Sequence, residues 1–371
     1  MKLIKILAIL TSGKRSQNII KMEKLVIFDN GDQIIRSKRA IIAELSGPRG
    51  VMSTSPFNGG YREDLKTIFN FDCVHYCDDP CAMYAPDYAG HMREVARRLG
   101  LDPGVSAGLS TAVDMQNAAI RTASYQDISV TAVVTAGIDV NGGRAGDPAQ
   151  LNEVDGAYIM IVGTINIFVF INACLSQGAM ARAVMTATEA KTAALQELVV
   201  PSNYSEGLAT GSGTDGIAVV CDLESSKYLT EAGKHYKLGE LIGITVKEAV
   251  RIGMERHSHI NGSHQLDVFQ RIGRYGVTEE RVYAVCSDRI SRDSFNVRIN
   301  VLRKDPLLVQ QTALYVHLLD EYTWGMFQEI AAAANALLDW MQMEPLKQGI
   351  NIKQAMISAY VEGLAKRIMR I

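Results

Sequence analysis

The sequence predicts an α+β fold: mixed sheet and helix layers with an all-helical C-terminal extension. Three observations carry this. Runs of β-forming residues recur through the chain as far as Cys221. Helical patterns interrupt them without strict strand–helix alternation, and no GxGxxG follows a strand, so a dinucleotide-binding doubly wound sheet lacks support. From about Pro306 the pattern is wholly helical.

The opening run MKLIKILAIL reads as a first strand. It is short for a signal peptide, no small-residue cleavage site follows, and Lys14 and Arg15 come next. Further strand-like runs lie at Lys24–Asp29, Ile34–Ala43, Val51–Ser55, Val130–Ala136, Ala157–Asn172 and Gly216–Cys221. Ala157–Leu175 is nineteen residues without a charge. That length approaches a membrane span. Its Gly163, Thr164, Asn166 and Asn172, among many Ile, Val and Phe, favour buried strand instead. The loops Ser55–Gly60, Gly137–Ala149 and Thr210–Asp215 are rich in Gly, Asn, Asp or Pro.

Helices are predicted at Tyr88–Leu99, Gln177–Leu198 and Lys237–Glu255, with Ser176 as N-cap of the second. The second helix is dense in alanine and can approach a sheet closely. Arg182, Thr186, Glu189, Ala193 and Gln196 fall along one stripe of it, and Lys191 points the other way. Such a stripe is a solvated face or a ligand-facing one. Beyond Pro306 two helices break near Glu321–Gly325, and Ile352–Ile368 forms a last amphipathic helix. The expected division is a core at 1–235 and a helical part at 236–371. The latter packs on the core or mediates homo-oligomerisation.

The chain has 371 residues, 47% apolar and 21% charged, with a formal net charge of −2. A charge so near zero argues against nucleic acid or an anionic membrane as the main partner. Six cysteines make no disulfide framework, and a reducing cytoplasm is the expected compartment.

Polar residues concentrate in VMSTSPFNGG (from Val51), LSTAVDMQNA (from Leu109), VTAGIDVNGGRAGDPA (from Val134) and a long block from Gly163 to Val220. That block ends in the loop T-G-S-G-T-D-G, Thr210–Gly216. Glycines there expose backbone N–H groups able to hold an oxyanion or a ligand amide, or simply make a tight turn. No Lys-Ser or Lys-Thr follows, so it is no phosphate loop of Walker type. Arg144 and Asp147 sit three apart in a loop, where they can pair with each other or with a ligand. Ser53, Thr54, Asn58, Ser110, Thr111 and Asp114 add hydroxyl, amide and carboxylate groups that also commonly cap turns.

The run TINIFVFINACLSQGAMARAVMTATEAKTAALQEL, followed by ATGSGTDGIAVV, resembles the hallmark of the adenosylcobinamide amidohydrolase family. VMSTSPFNGG, STAVDMQNA, VTAGIDVNGGRAGDPA and GKHYKLGELIG resemble further blocks of that family, in the same order, from about Leu25 to Val250. The resemblance implies removal of the aminopropanol side chain from adenosylcobinamide, giving adenosylcobyric acid for cobamide salvage. No further cofactor is implied, because the corrinoid cobalt arrives with the substrate. Amide hydrolysis needs a delivered nucleophile, oxyanion stabilisation and protonation of the leaving amine. Glu189 or Asp215 is the expected acid/base, with the Gly211, Ser212, Gly213 and Thr214 amides near the oxyanion. Asn166, Asn172 and Arg144, with Asp114, Asn141 and Asp147, would meet the corrinoid and its amides. Alternatives are a carrier without catalysis and a hydrolase or acyltransferase that cuts itself before Thr164.

His257, His259, His264 and Asp267 fit no standard zinc spacing and read as a helix-end loop. Cys73, Cys77 and Cys81, with His75 and His91 nearby, match neither a radical-enzyme nor a zinc pattern and read as thiols. No metal site is therefore expected.

Overall fold

The computed structural model describes residues 22–149, 164–347, 349 and 351–370. The run at residues 1–10, and the part of Ala157–Asn172 before Thr164, lie outside the described residues. Two sheets form the centre. The first carries β1 (Glu23–Ile27), β2 (Gln33–Arg36), β3 (Ala40–Glu44), β6 (Thr67–Asp72) and β7 (Ser106–Thr111), in that order. The second runs β5 (Gly60–Arg62), β4 (Arg49–Ser53), β14 (Gly216–Asp222), β11 (Ile165–Ile171), β9 (Ile128–Ala136), β8 (Ala119–Tyr125). The β6–β7 and β11–β14 pairs are parallel and the other neighbours antiparallel. Two short ladders join β10 (Gly142–Gly143) to β13 (Gly211–Ser212) and β12 (Cys174–Leu175) to β15 (Tyr228–Leu229).

Period-two alternation explains the stacking. On β11, Ile165, Ile167, Val169 and Ile171 join an apolar cluster with α2 (Gln177–Glu197) and α3 (Lys237–Ser258). Phe168 and Phe170 face the other way, into a cluster with Ile34, Ile41 and Ile68 of the first sheet. The far face of that sheet packs Phe69 and Phe71 on Met92 and Val95 of α1 (Tyr88–Arg98). The order is helix, sheet, sheet, helix, an α+β sandwich whose central strands are buried on both faces. This is why β11 reads as a continuous apolar run. Ser176 caps α2 as expected, accepting from Ala179 N at 3.1 Å.

Three expectations need adjustment. The run Ile34–Ala43 is two strands, because Arg36, Ser37, Lys38 and Arg39 turn the chain; Ser37 N donates to Ala40 O at 2.8 Å. The helical tail starts before Pro306: α4 (Val268–Ile272), α5 (Glu279–Cys286) and α6 (Arg292–Leu302) precede α7 (Pro306–Thr323), α8 (Ala331–Trp340) and α9 (Ile352–Arg370). These three are short, so periodicity had little length to declare itself. Finally, α3 lies beyond the expected division at 235, yet packs Leu241, Val246 and Val250 into the core cluster. The separate apolar cluster of the tail starts at Val268. Glu206 ties the two parts together, accepting from Lys353 and, through its carbonyl, from Arg274. Among the described residues no helix is long and apolar enough to cross a membrane.

Candidate active site

A cavity of about 260 Å³ opens between the two sheets where β4, β6 and β7 end and β11 and β14 begin. Its lining includes Thr54, Cys73, Tyr88, Ser110, Thr111, Thr164, Asn166 and the Gly213–Gly216 turn. Asn166 shares the inward face of β11 with Phe168, so a polar group stands where the strand pattern calls for an apolar one. Its amide nitrogen donates to Asn70 Oδ1 at 2.7 Å and to Ser110 O at 2.8 Å. Asn70 in turn donates to Thr135 Oγ1 at 2.8 Å. This chain of amides crosses both sheets and satisfies groups that would be costly to bury unpaired.

The glycine loop is held from behind. Asp215 Oδ1 accepts from Ile165 N at 3.0 Å, Ser212 N at 3.1 Å and Ser212 Oγ at 2.6 Å. Asp215 Oδ2 pairs with the buried Lys191 ammonium. Gly211 is required here: a Cβ would lie 2.3 Å from Asp215 Oδ2 and 2.6 Å from Lys191 Nζ. Gly216 keeps room for Asn166, whose Oδ1 would lie 2.9 Å from an added Cβ. The β10–β13 ladder stitches Gly142–Gly143 to this loop, and Thr210 N adds a bond to Gly143 O at 2.8 Å.

Thus Thr164, Asn166, Gly213, Thr214 and Asp215 meet at one cavity, with Gly211 and Ser212 directly behind. Asp114 is outside the cavity lining and accepts from the Tyr76 hydroxyl at 2.9 Å, and the remaining expected residues lie elsewhere. Asn141 is buried in the turn leading to β10. Arg144 bonds Leu208 O at 3.3 Å, and Asp147 receives Arg144 N at 2.8 Å and Ser202 Oγ at 2.6 Å. Partial burial pushes the Asp147 carboxyl up, but Ser202, Ser205 and Arg144 hold it below its ordinary value. Asn172 is at the opposite end of β11, pinning the β8–β9 turn through Ser129 N and Asp127 O. Glu189 is exposed on the outer side of α2, 2.8 Å from Lys234. The stripe singled out on α2 is that outer side, except that Thr186 turns in and donates to Ala232 O at 2.8 Å and Gln196 donates to Ala209 O at 3.0 Å. The side that reaches the cavity loop is Lys191's.

One pocket thiol and one pocket hydroxyl are already committed. Cys73 Sγ donates to Thr111 O at 3.2 Å. Burial first, then neighbouring Cys81, push its thiol well above the ordinary range, which suppresses the thiolate. Thr164 Oγ1 donates to Thr214 O at 2.7 Å. Among the described residues no group of three or more His, Cys, Asp or Glu is arranged to hold a metal ion. His259 instead ends α3 in the left-handed region, at φ 55°.

Sequence reasoning passed over Asn70, Lys191 and Asp72. The visible signal was Asn70, a polar residue between the two phenylalanines of the TIFNFD strand.

Comparison with known proteins bears on this site. The profile of the adenosylcobinamide amidohydrolase family matches residues 26–262. An uncharacterized protein of Methanocaldococcus jannaschii is 36% identical over 231 residues, 59% of this chain and 87% of its own length. The adenosylcobinamide amidohydrolase of Methanosarcina mazei is 29% identical over 206 residues, 53% of this chain and 86% of its own. A crystal structure from Pyrococcus horikoshii aligns with a TM-score of 0.31 and 11% identity, over 63% of this chain and 84% of that one, too loose a likeness to argue from. The matched span contains both sheets except the start of β1, α1 to α3 and every described residue lining the cavity, and on it the chain belongs to the adenosylcobinamide amidohydrolase family.

Proposed function

We propose that the chain hydrolyses the secondary amide joining aminopropanol to the corrin ring of adenosylcobinamide, giving adenosylcobyric acid for cobamide salvage. The observation that carries this reading is that the family's matched span includes every described residue of a small interlayer cavity lined by amide and hydroxyl groups. At about 260 Å³ the cavity has room for one side chain of a corrinoid and none for the macrocycle. The ring would stay outside, over the mouth. Among the described residues of the lining Asp215 alone is charged, and Lys191 neutralises it, which suits an uncharged amide.

The roles follow from chemistry. Asn166, Ser110 and Thr111 would orient the scissile amide, and the Gly213–Gly216 backbone would face the developing oxyanion. Asp215, with its oxygens engaged by Lys191, Ser212 and Ile165, would hold that backbone in shape. With Cys73 and Thr164 both donating to carbonyls, water is the nucleophile this arrangement favours.

The test is incubation of purified protein with adenosylcobinamide, followed by chromatography with mass detection. Adenosylcobyric acid and aminopropanol should appear in equal amounts. A corrinoid that binds and stays intact would make the chain a carrier. A chain mass cut before Thr164 would favour the self-processed hydrolase.

A further inference from the structure

The hydrolysis needs a group that takes a proton from water and gives one to the leaving nitrogen, and the chain on either side of the cavity-lining Cys73 carries a pair suited to it. β6 ends in Asp72, which is fully buried and in register with Thr111 of β7. Cys73 N donates to Thr111 O at 2.9 Å, and both residues line the cavity. The chain then folds back on the Asp72 carboxylate. Val74 N and His75 N each donate to Oδ1 at 2.9 Å, and His75 Nδ1 lies 3.0 Å from Oδ2. A carboxylate at Nδ1 places the hydrogen there and leaves Nε2 with its lone pair. The His75 side chain keeps 37% of its exposure, while Asp72 has none.

The surroundings are built around this pair. The next residue, Tyr76, takes φ 57°, an uncommon conformation for a bulky side chain, and its hydroxyl donates to Asp114 Oδ2 at 2.9 Å. His257 packs on Gly137, where a Cβ would lie 2.5 Å from its ring. Gly137 N donates to Thr164 O at 3.1 Å, so this second histidine stands directly behind the cavity wall. Burial lowers the pKa of His257, with Asp139 opposing and His75 reinforcing the shift, so at neutral pH it adds no competing charge. Other charges around the pair are Lys38, over the Tyr76 ring at 5.8 Å, and Arg39, which donates to Asp72 O at 3.1 Å.

We propose that His75 is the proton-transfer group of this amide hydrolysis and that Asp72 is its positioning residue. This rests on the function proposed above. His75 Nε2 takes a proton as a water oxygen bonds to the amide carbon, and the carbonyl electron pair moves onto oxygen. Collapse re-forms the carbonyl and breaks the C–N bond, and the imidazolium returns the proton to the departing nitrogen. One amide and one water become one carboxylic acid and one primary amine, which then exchange a proton through solvent.

His75→Asn tests this, because an Asn amide can keep the bond to Asp72 while removing the ring nitrogen proposed to carry the proton. With adenosylcobinamide as substrate, kcat should fall by about 100-fold or more, with KM and the thermal midpoint little changed. The acidic limb of the kcat–pH profile should vanish. Asp72→Asn should keep a limb but displace it. As a second reading independent of the variants' folding, diethyl pyrocarbonate should inactivate wild type in step with His75 modification, and adenosylcobinamide should protect. A folded His75→Asn enzyme within about fivefold of wild-type kcat overturns the proposal and leaves the proposed function standing, as does His75 modification without rate loss. A wild-type protein that does not turn over adenosylcobinamide overturns both.

Discussion

The space between the two sheets has two open ends, built from the same strands and put to different uses. The larger cavity, about 400 Å³, opens beside Arg49, and the smaller, about 260 Å³, beside Asn166. At the larger end Arg49 is buried with its guanidinium consumed. It donates to Asp32 and Asp222 at 2.9 Å each, to Pro48 O at 2.8 Å and to Asn30 O at 3.2 Å. That end is a staple joining β4 to the β1–β2 turn and the end of β14. At the smaller end hydroxyls, amides and a glycine turn line the cavity, and the Asp72–His75 pair flanks Cys73 of that lining in the chain. Cavity volume therefore does not choose between the ends; the commitment of the polar groups does.

The comparison breaks most readily at the Arg49 end. Arg49→Ala should cost about 3–5 kcal/mol of unfolding free energy, because two buried carboxylates lose their partner. Urea unfolding would read this, and kcat per folded molecule should stay near wild type. A large fall in kcat without loss of stability would move the site to that end.

Asp215→Ala comes next. Turnover should be lost, and the uncompensated Lys191 should destabilise the fold by about 3 kcal/mol. Adding Lys191→Met should recover stability but not turnover, which separates the loop's anchoring from chemistry. Wild-type rates in Asp215→Ala would remove this loop from the site. Gly216→Ala should be milder in stability, about 1–3 kcal/mol, since its Cβ would lie 2.6 Å from Leu109 Cδ2. Because it also crowds Asn166, kcat/KM on adenosylcobinamide should drop at least about tenfold while the fold survives.

The smallest effect concerns His91, buried on α1 with Nδ1 accepting from Tyr84 N at 3.1 Å. Burial, then Arg98, lower its pKa in the folded state from the ordinary 6.5. Above that pH both states are neutral and the contribution is complete. As pH falls below it, the unfolded chain takes a proton that the folded chain refuses, so stability declines until the folded value is passed. Thermal midpoints at pH 7.5 and 5.5 should differ less in His91→Asn than in wild type.

What was legible in the sequence was local. The Ser176 cap, the α2 pattern and the β-rich runs depend on neighbours a few residues apart. β6 and β7 were not legible, because their register is set by long-range packing. Gly108 interrupts β7 so that the Phe69 ring can lie over it, a Cβ there meeting the ring at 2.2 Å. The Gly213–Asp215 turn, Thr164 and Asn166, which share the cavity, were singled out because glycines and strand-end polar residues signal themselves. Lys191 was not, because only Asp215, twenty-four residues on, makes its burial tolerable. His75 looked like a neighbour of thiols until the fold brought β7, Asp114 and α3 around it.

The most direct test of the central claim is a structure of the Asp72→Asn variant with adenosylcobinamide bound. The account predicts the aminopropanol amide between Asn166 and Thr111, its carbonyl oxygen toward the Gly213–Gly216 turn, and His75 within reach of the amide carbon. Corrinoid density at the Arg49 end, or on the outer side of α2 beside Glu189, would contradict it.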